Sequence, residues 1–236
     1  QVSELRERGY TVILLEGPGQ GRSLRQGLYF EPDFERPTQA VLDAYSVESC
    51  AMVGISWGGY FALRSAAFEP RIVAAAAYDV LTDGVEVMTH VFPRPIAGIL
   101  RFCLKRGWAG IVNTLTSRLR QRSLLADWAL TQGQYITGTQ TAAAFYEALS
   151  GHSLYGLTER LVQDILLLAG EKDHYVPLRQ YEWLREHLPN ARSVTTRLFT
   201  AAEGGGQHCQ VGAHQLAVEE IIRWLDELFG ERQGAK

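Results

Sequence analysis

Short apolar runs alternate with longer segments of helical period along most of this chain. Runs of about four to eight apolar residues are typical of parallel strands that crossover helices bury on both faces. The pattern therefore predicts an α/β fold with a mostly parallel sheet. The predicted strands are residues 12–15, 51–55, 72–78, 165–169 and 194–199.

Crossover helices are expected between these strands. Pro37 begins one that runs to Tyr45, because a proline at the first helical position gives up no needed donor. Residues 56–68 form a second helix, which Pro70 stops. Two later segments have apolar residues at helical spacing. They are Tyr181, Leu184 and Leu188 in the first segment and Ala217, Ile221, Trp224, Leu225 and Leu228 in the second.

Residues 84–157 interrupt this rhythm with several short helical segments and no clear strand. The interruption is rich in aromatic residues, namely Trp108, Trp128, Tyr135, Phe145 and Tyr146. We therefore expect a helical cap at 84–157, inserted into one α/β core that is formed by residues 1–83 and 158–236.

Composition narrows the class of ligand. The 236 residues include 23 Lys and Arg against 26 Asp and Glu, and the net charge of −3 offers no electrostatic footprint for nucleic acid. We expect a small-molecule substrate instead. No apolar run reaches the length of a membrane-spanning helix, so no membrane partner is expected. The oligomeric state is open, with a homodimer as one option.

The cysteines point to the compartment. Cys50, Cys103 and Cys209 are odd in number and widely spaced, with no CxxC pair. This pattern indicates neither a disulfide framework nor a structural zinc site. We expect a cytoplasmic protein without a metal site.

The strongest chemical signal is the sequence Gly-Ile-Ser-Trp-Gly at 54–58, which follows an apolar run and precedes a helical segment. In that context G-x-S-x-G forms a sharp turn that projects the serine hydroxyl above the sheet. Side chains beside the serine would collide where strand and helix approach, and Gly54, Gly58 and Gly59 are expected to remove them. The motif predicts Ser56 as a nucleophile.

A serine nucleophile needs a histidine base and an orienting carboxylate. His208 lies in the loop after the last predicted strand and is the expected base. His214 is the competitor, although its place at a helix start favours a capping or solvent-exposed role. Surface or cap positions are expected for the histidines without a strand-end context, which are His90, His152 and His187.

The acid is expected after the preceding strand. Asp173 lies there, 35 residues before His208, which leaves room for one helix and one strand. Glu171 is the near alternative, and Asp79 and Asp83 follow the third strand, where some enzymes of this architecture carry their acid. His174 is interpreted as a pocket or surface residue.

Attack on a carbonyl creates an oxyanion that two backbone donors stabilise. The N–H of Trp57 is one expected donor. The other normally comes from a loop after an earlier strand, which would precede Gln1. The glycine-rich residues 17–22 are interpreted as a tight turn or a ligand loop; they do not match a phosphate-binding pattern.

Four motifs resemble one group of α/β-hydrolases: GPGQGRS at 17–23, GISWGGY at 54–60, GEKDHYVP at 170–177 and EGGGQHCQVG at 203–212. The group includes relatives of 2,6-dihydroxypseudooxynicotine hydrolase and fungal polyketide-cluster hydrolases and acyltransferases. The resemblance implies the α/β-hydrolase fold, a triad of Ser56, Asp173 and His208, and no cofactor. It also implies further strands before residue 12, so the chain is expected to be truncated at its N-terminus.

The expected activity is hydrolysis of an activated carbonyl, either an ester or a ketone, through an acyl-serine intermediate. Cleavage of a C–C bond and acyl transfer are alternatives on the same triad. A non-catalytic interaction protein is the alternative from another class.

Overall fold

The computed structural model describes residues 2–90 and 92–233, and side chains as far as residue 230. Within these residues four parallel strands form one sheet, in the spatial order β1 (Cys50–Ile55), β2 (Ile72–Tyr78), β3 (Asp164–Gly170) and β4 (Ser193–Phe199). The parallel α/β architecture predicted from the apolar runs is thus confirmed. Since the strands share one direction, their carboxyl ends lie at the same edge of the sheet.

Helices connect and cover these strands. In chain order they are α1 (Val2–Glu7), α2 (Gly21–Arg25), α3 (Glu35–Ala44), α4 (Trp57–Ala66), α5 (Gly84–His90), α6 (Arg94–Lys105), α7 (Ala109–Arg120), α8 (Leu124–Thr137), α9 (Ala142–Ser150), α10 (Leu178–Glu186) and α11 (His214–Gln233). Three-residue 3₁₀ turns lie at Thr158–Arg160 and His208–Gln210.

Strand β3 alternates its side chains between two buried layers. Ile165 and Leu167 lie in one layer with residues of α4 and α10, whereas Leu166 and Leu168 lie in the other with residues of α11. All four side chains are fully buried. Each such burial contributes about 1.5–3 kcal/mol, so the sheet is fixed by helices on both faces.

The prediction of a strand at residues 12–15 is wrong. The segment has irregular backbone, and Leu14 is 78% exposed. A strand is stable only when a neighbouring strand pairs with it, and no strand of the described residues lies beside this segment. The apolar run therefore lacks the partner that a strand requires.

The helix predictions differ from the structure mainly at the ends. Helix α3 begins at Glu35, so Pro37 occupies its third position. The N–H groups of the first helical turn have no acceptor inside the helix, so a proline at this position loses no hydrogen bond. Helix α4 ends at Ala66, two residues earlier than expected. Leu188 lies beyond the end of α10 and is nonetheless buried.

The helices α5 to α9 occupy the connection between β2 and β3. The two chain segments that join this connection to the sheet run side by side, with a β-bridge between Asp83 and Ser153. Phe145 and Tyr146 are buried, whereas Trp108, Trp128 and Tyr135 are about half exposed. The division of the chain into a core and a cap stays a prediction.

Among the residues described, no helix combines the length and the apolar character that crossing a bilayer requires.

Candidate active site

Ser56 lies between the end of β1 and the start of α4, in a backbone conformation of φ 58° and ψ −120°. A residue other than glycine is strained there and persists only where its surroundings hold it. Ser56 itself is held because its N–H donates to the Tyr78 carbonyl at the end of β2, at 2.5 Å. The turn therefore fixes the position of the serine relative to the sheet.

Two of the three glycines around Ser56 are needed for close approach. A Cβ at Gly54 would lie 1.7 Å from the Gly58 carbonyl oxygen, and one at Gly59 would lie 2.2 Å from the Asp79 carbonyl oxygen. The expectation for Gly58 is wrong, because a Cβ there would meet nothing within 4 Å. The strand and helix crowd each other at Gly54 and Gly59, and the side of α4 at Gly58 faces open space.

The structure brings Ser56, His208 and Asp173 together. Ser56 Oγ lies 2.8 Å from His208 Nε2, and His208 Nδ1 lies 2.6 Å from Asp173 Oδ2. The other carboxylate oxygen of Asp173 accepts the N–H groups of Tyr175 and Val176, at 2.7 and 2.9 Å. These backbone bonds hold the carboxylate in place beside the imidazole.

The electrostatics favour an ion pair between Asp173 and His208. Burial lowers the pKa of His208, but the hydrogen bond to Asp173 and the neighbouring Cys209 thiol outweigh burial and raise that pKa above the ordinary 6.5. Burial raises the pKa of Asp173, but its bonds to His208, Val176 and Tyr175 hold that pKa below the ordinary value. A proton taken up by His208 is therefore stabilised by the Asp173 carboxylate.

A second carboxylate, Asp79, lies beside the same imidazole. It follows β2, is buried, and has Oδ2 3.4 Å from His208 Nδ1. Its carboxylate accepts the Cys209 N–H at 2.7 Å and Gln210 Nε2 at 3.2 Å. Burial raises the pKa of Asp79 to about 7 against these hydrogen bonds. Of the two acids, Asp173 makes the shorter contact with His208.

Glu171 and Asp83, the remaining candidate acids, bind backbone groups elsewhere. Glu171 accepts the N–H of Ala201 at 2.8 Å, and Asp83 accepts the N–H of Glu86 at 2.7 Å in the first turn of α5. His214, the competing base, is an exposed residue at the start of α11. None of these three side chains has a hydrogen bond to His208 within the described residues.

The remaining histidines divide into three exposed residues and one buried residue. His90, His174 and His187 are exposed. His152 is not a surface residue, because it has no exposed area and burial lowers its pKa to about 3.

His152 contacts the residue that follows Ser56. Its Nδ1 accepts a hydrogen bond from Trp57 Nε1 at 3.0 Å, and its ring stacks on Phe30 at 4.7 Å between centroids. No local sequence signal marks this role, since it depends on how the connection between β2 and β3 folds back. Trp57 is the first residue of α4, so its backbone N–H has no acceptor inside the helix.

The glycine-rich segment at 17–22 forms a packed turn. A Cβ at Gly17 would lie 2.2 Å from the Phe34 ring, and Gly19 has φ 78° with Phe30 2.4 Å from its Cβ position. Close packing against Phe34 and Phe30 therefore explains why Gly17 and Gly19 have no side chain.

Among the residues described, one group could offer three metal ligands, namely Asp79, His208 and Cys209, whose ligand atoms lie within 4.8 Å of one another. Both ring nitrogens of His208 already contact Ser56 and Asp173. A metal ion bound to His208 would therefore break the line of contacts that leads to Ser56.

Residues 1–203 match the profile of the alpha/beta hydrolase fold family. The match includes Ser56 and Asp173, and His208 follows it by five residues.

Two curated relatives are fungal hydrolases. Hydrolase acrC of Aspergillus aculeatus is 30% identical over 242 residues, which cover 96% of this chain and 56% of that protein. The 20-hydroxy-prefusarin hydrolase FUS2 of Gibberella moniliformis is 30% identical over 240 residues, which cover 94% of this chain and 56% of that protein. The chain thus spans little more than half the length of these relatives.

Among solved structures, 2,6-dihydroxy-pseudo-oxynicotine hydrolase superposes with a TM-score of 0.63 at 21% identity, over 91% of this chain and 50% of that chain. At this identity the likeness concerns the fold alone.

Proposed function

The chain belongs to the α/β-hydrolase fold family, and from that premise we propose that it is a serine hydrolase with Ser56 as nucleophile, His208 as base and Asp173 as orienting acid. The observation that carries the proposal is the unbroken line of contacts from Ser56 Oγ through His208 to Asp173, at 2.8 and 2.6 Å. The substrate class is a small molecule with an activated carbonyl, either an ester or a ketone flanked by an electron-withdrawing group.

The first half of the reaction forms an acyl-enzyme. Ser56 Oγ attacks the carbonyl carbon while His208 Nε2 takes the hydroxyl proton. The tetrahedral intermediate then collapses, the bond to the leaving group breaks, and His208 returns its proton to that group. In the second half, water attacks the acyl-Ser56 ester, His208 takes the water proton, and the acid product leaves as Ser56 regains its proton.

Asp173 and Trp57 stabilise the charges that these steps create. The Asp173 carboxylate faces the imidazolium that forms when His208 accepts a proton. The backbone N–H of Trp57 is proposed as one of the donors to the oxyanion, because the first residue of a helix has a free N–H. Removal of one such donor typically costs about 10²–10³-fold in rate.

The same intermediate serves three reactions that differ in the leaving group and the attacking group. In ester hydrolysis the leaving group is an alcohol, and in C–C cleavage it is a stabilised carbanion. In acyl transfer an alcohol or amine takes the place of water as the attacking group. In the proposed reaction the attacking group is water. Product analysis with a simple ester and a β-diketone, in the presence and absence of an added alcohol, assigns the reaction.

A fluorophosphonate probe tests the proposal in the natural full-length protein. We expect covalent labelling at Ser56, no labelling in Ser56→Ala, and labelling slowed by about 10³-fold or more in His208→Ala because the hydroxyl then lacks its base. Ser117→Ala, which removes an exposed serine of α7, is the matched control and should label as the wild type does. A folded wild-type protein that remains unlabelled at Ser56 would contradict the proposal.

A further inference from the structure

The chain takes an unusual path immediately after His208. Cys209 has φ 48° and Gln210 has φ 45°, so two consecutive residues other than glycine adopt left-handed backbone conformations. Such a conformation is strained for a residue with a side chain and persists only where neighbouring groups hold it. The groups that hold this turn therefore also determine where the His208 side chain lies.

Two neighbouring residues at the end of β2 hold the turn. The Tyr78 hydroxyl donates to the Cys209 carbonyl at 2.9 Å, and Asp79 Oδ2 accepts the Cys209 N–H at 2.7 Å. Asp79 Oδ1 also accepts from Gln210 Nε2 at 3.2 Å. Tyr78 and Asp79 are 2% and 1% exposed. Both polar backbone groups of Cys209 are thus bound by buried side chains of one strand end.

The position of Asp79 distinguishes its role from that of Asp173. Its Oδ2 lies 3.4 Å from His208 Nδ1, against 2.6 Å for Asp173. A contact of 3.4 Å is long for a hydrogen bond, whereas the 2.7 Å bond to the Cys209 N–H is short. Asp79 therefore binds the backbone next to His208 more closely than it binds the imidazole.

We propose that Asp79, together with Tyr78, is a positioning residue that holds the left-handed turn after His208 and so keeps the imidazole within reach of both Ser56 and Asp173. The proposal rests on the proposed function of those three residues. A displacement of about 1 Å at a catalytic group costs roughly 10²-fold in rate. The loss is expected in kcat, because the substrate does not need this turn in order to bind.

Asp79→Ala and Asp79→Asn separate backbone positioning from charge. The alanine variant removes both acceptors, and we expect kcat to fall roughly 10²-fold with KM within about twofold. In the asparagine variant Oδ1 still accepts the Cys209 N–H. Its amide group can donate to Gln210 Oε1, a buried acceptor without a partner among the described residues, once the Gln210 amide rotates. We therefore expect Asp79→Asn to retain much more activity than Asp79→Ala.

Two further variants complete the set. Tyr78→Phe removes only the hydroxyl that binds the Cys209 carbonyl, and we expect a decrease in kcat between those of the two Asp79 variants. Asp43→Asn is the matched control, because Asp43 is an exposed carboxylate that pairs with Arg71 away from the site. All rates are divided by the number of sites that a fluorophosphonate titrates, so that unfolded molecules do not contribute.

The pH profile provides a readout that a merely structural role would not move. Besides Asp79, the titratable groups that face His208 or the turn after it include Asp173, Tyr175, Cys209 and Tyr78. Above the pKa of about 7 that burial gives Asp79, its carboxylate is ionised, and removing it takes a negative charge away from the imidazolium. The acid limb of kcat/KM should therefore move to lower pH in Asp79→Asn. Asp43→Asn should leave the limb in place.

Two outcomes would overturn the proposal. One is an Asp79→Ala variant whose rate per titrated site is within twofold of the wild type. The other is an Asp79→Asn variant that loses as much activity as Asp173→Asn, since Asp79 would then be the orienting acid. Failure of the proposed function can be distinguished from failure of this positioning role. In the former case the fluorophosphonate would not label Ser56 even in the wild-type protein.

Discussion

The carboxyl edge of the sheet and the helices between β2 and β3 use their polar and aromatic residues differently. At the sheet edge, Ser56, Asp173 and His208 each follow a strand and meet within hydrogen-bond distance. In the helical connection, Phe145 is buried in packing, whereas Trp128 is more than half exposed. The first region concentrates chemical groups, and the second provides mainly packing and surface.

The two regions are joined by packing as well as by polar contacts, since one buried apolar cluster includes both Phe61 of α4 and Phe145 of α9. Trp57 Nε1 binds His152 Nδ1, and the bridge between Asp83 and Ser153 joins the two connecting segments. Because the reacting groups lie at the sheet edge, changes there should alter turnover, whereas changes inside the helices should alter mainly stability. Substitutions in each region test that separation.

Asp173→Asn should have the largest effect. The amide cannot stabilise the imidazolium and favours the wrong tautomer of His208, so we expect kcat to fall by about 10⁴-fold with little change in KM. Steady-state kinetics measures this. Glu171→Gln is the control two residues away, since Glu171 binds the Ala201 N–H, and it should remain within about threefold. A loss smaller than tenfold in Asp173→Asn would assign the orienting role to another acid.

Gly54→Ala should have the second-largest effect on kcat. The added Cβ would lie 1.7 Å from the Gly58 carbonyl oxygen, so β1 and α4 must move apart and displace Ser56. We expect kcat to fall by about 10²-fold. Gly58→Ala is its contrast, because that Cβ meets open space and alanine favours the helix by roughly 1 kcal/mol. We expect a raised Tm for Gly58→Ala. Equal damage by both substitutions would show that crowding does not determine the turn.

The pH dependence should be a smaller effect that belongs to the sheet edge alone. The neutral form of His208 is the base, and the pKa of His208 is raised above 6.5. Activity should therefore increase with pH, with the midpoint of the acid limb of kcat/KM above pH 6.5. In Asp173→Asn the imidazolium loses its partner, so the midpoint should move to lower pH. An unchanged midpoint would mean that the limb reports another group.

Phe145→Ala should have the smallest effect on turnover. This side chain is 1% exposed, and its removal should lower the free energy of unfolding by about 3–5 kcal/mol, as urea denaturation would measure. The kcat per titrated site should change little. Trp128→Ala, on the exposed side of α8, should remain within about 0.5 kcal/mol of the wild type. A loss of kcat in Phe145→Ala comparable to that in Asp173→Asn would break the separation between the two regions.

Local patterns are enough to predict which residues meet at the sheet edge. Each of Ser56, Asp173 and His208 follows an apolar run, and parallel strands bring their carboxyl ends together wherever the chain leads in between. A strand at 12–15 cannot be decided locally, because pairing depends on a neighbour. The open space at Gly58 likewise depends on the path of α4.

Contacts made across the fold are the least predictable. The burial of His152 depends on the return of the helical connection towards Trp57. The sequence marks Asp79 as a carboxylate after a strand, but its bond to Cys209 arises from a left-handed turn that composition does not encode.

The turn after His208 also affects how inhibitor studies should be interpreted. Cys209, a partly exposed residue that adjoins His208, carries a free thiol. An alkyl or mercurial group on that sulfur would push His208 away from Ser56, so thiol reagents should inactivate the protein without modifying its nucleophile. Sensitivity to iodoacetamide would then suggest a cysteine hydrolase, and mass spectrometry of the modified peptide would be needed to avoid that misclassification.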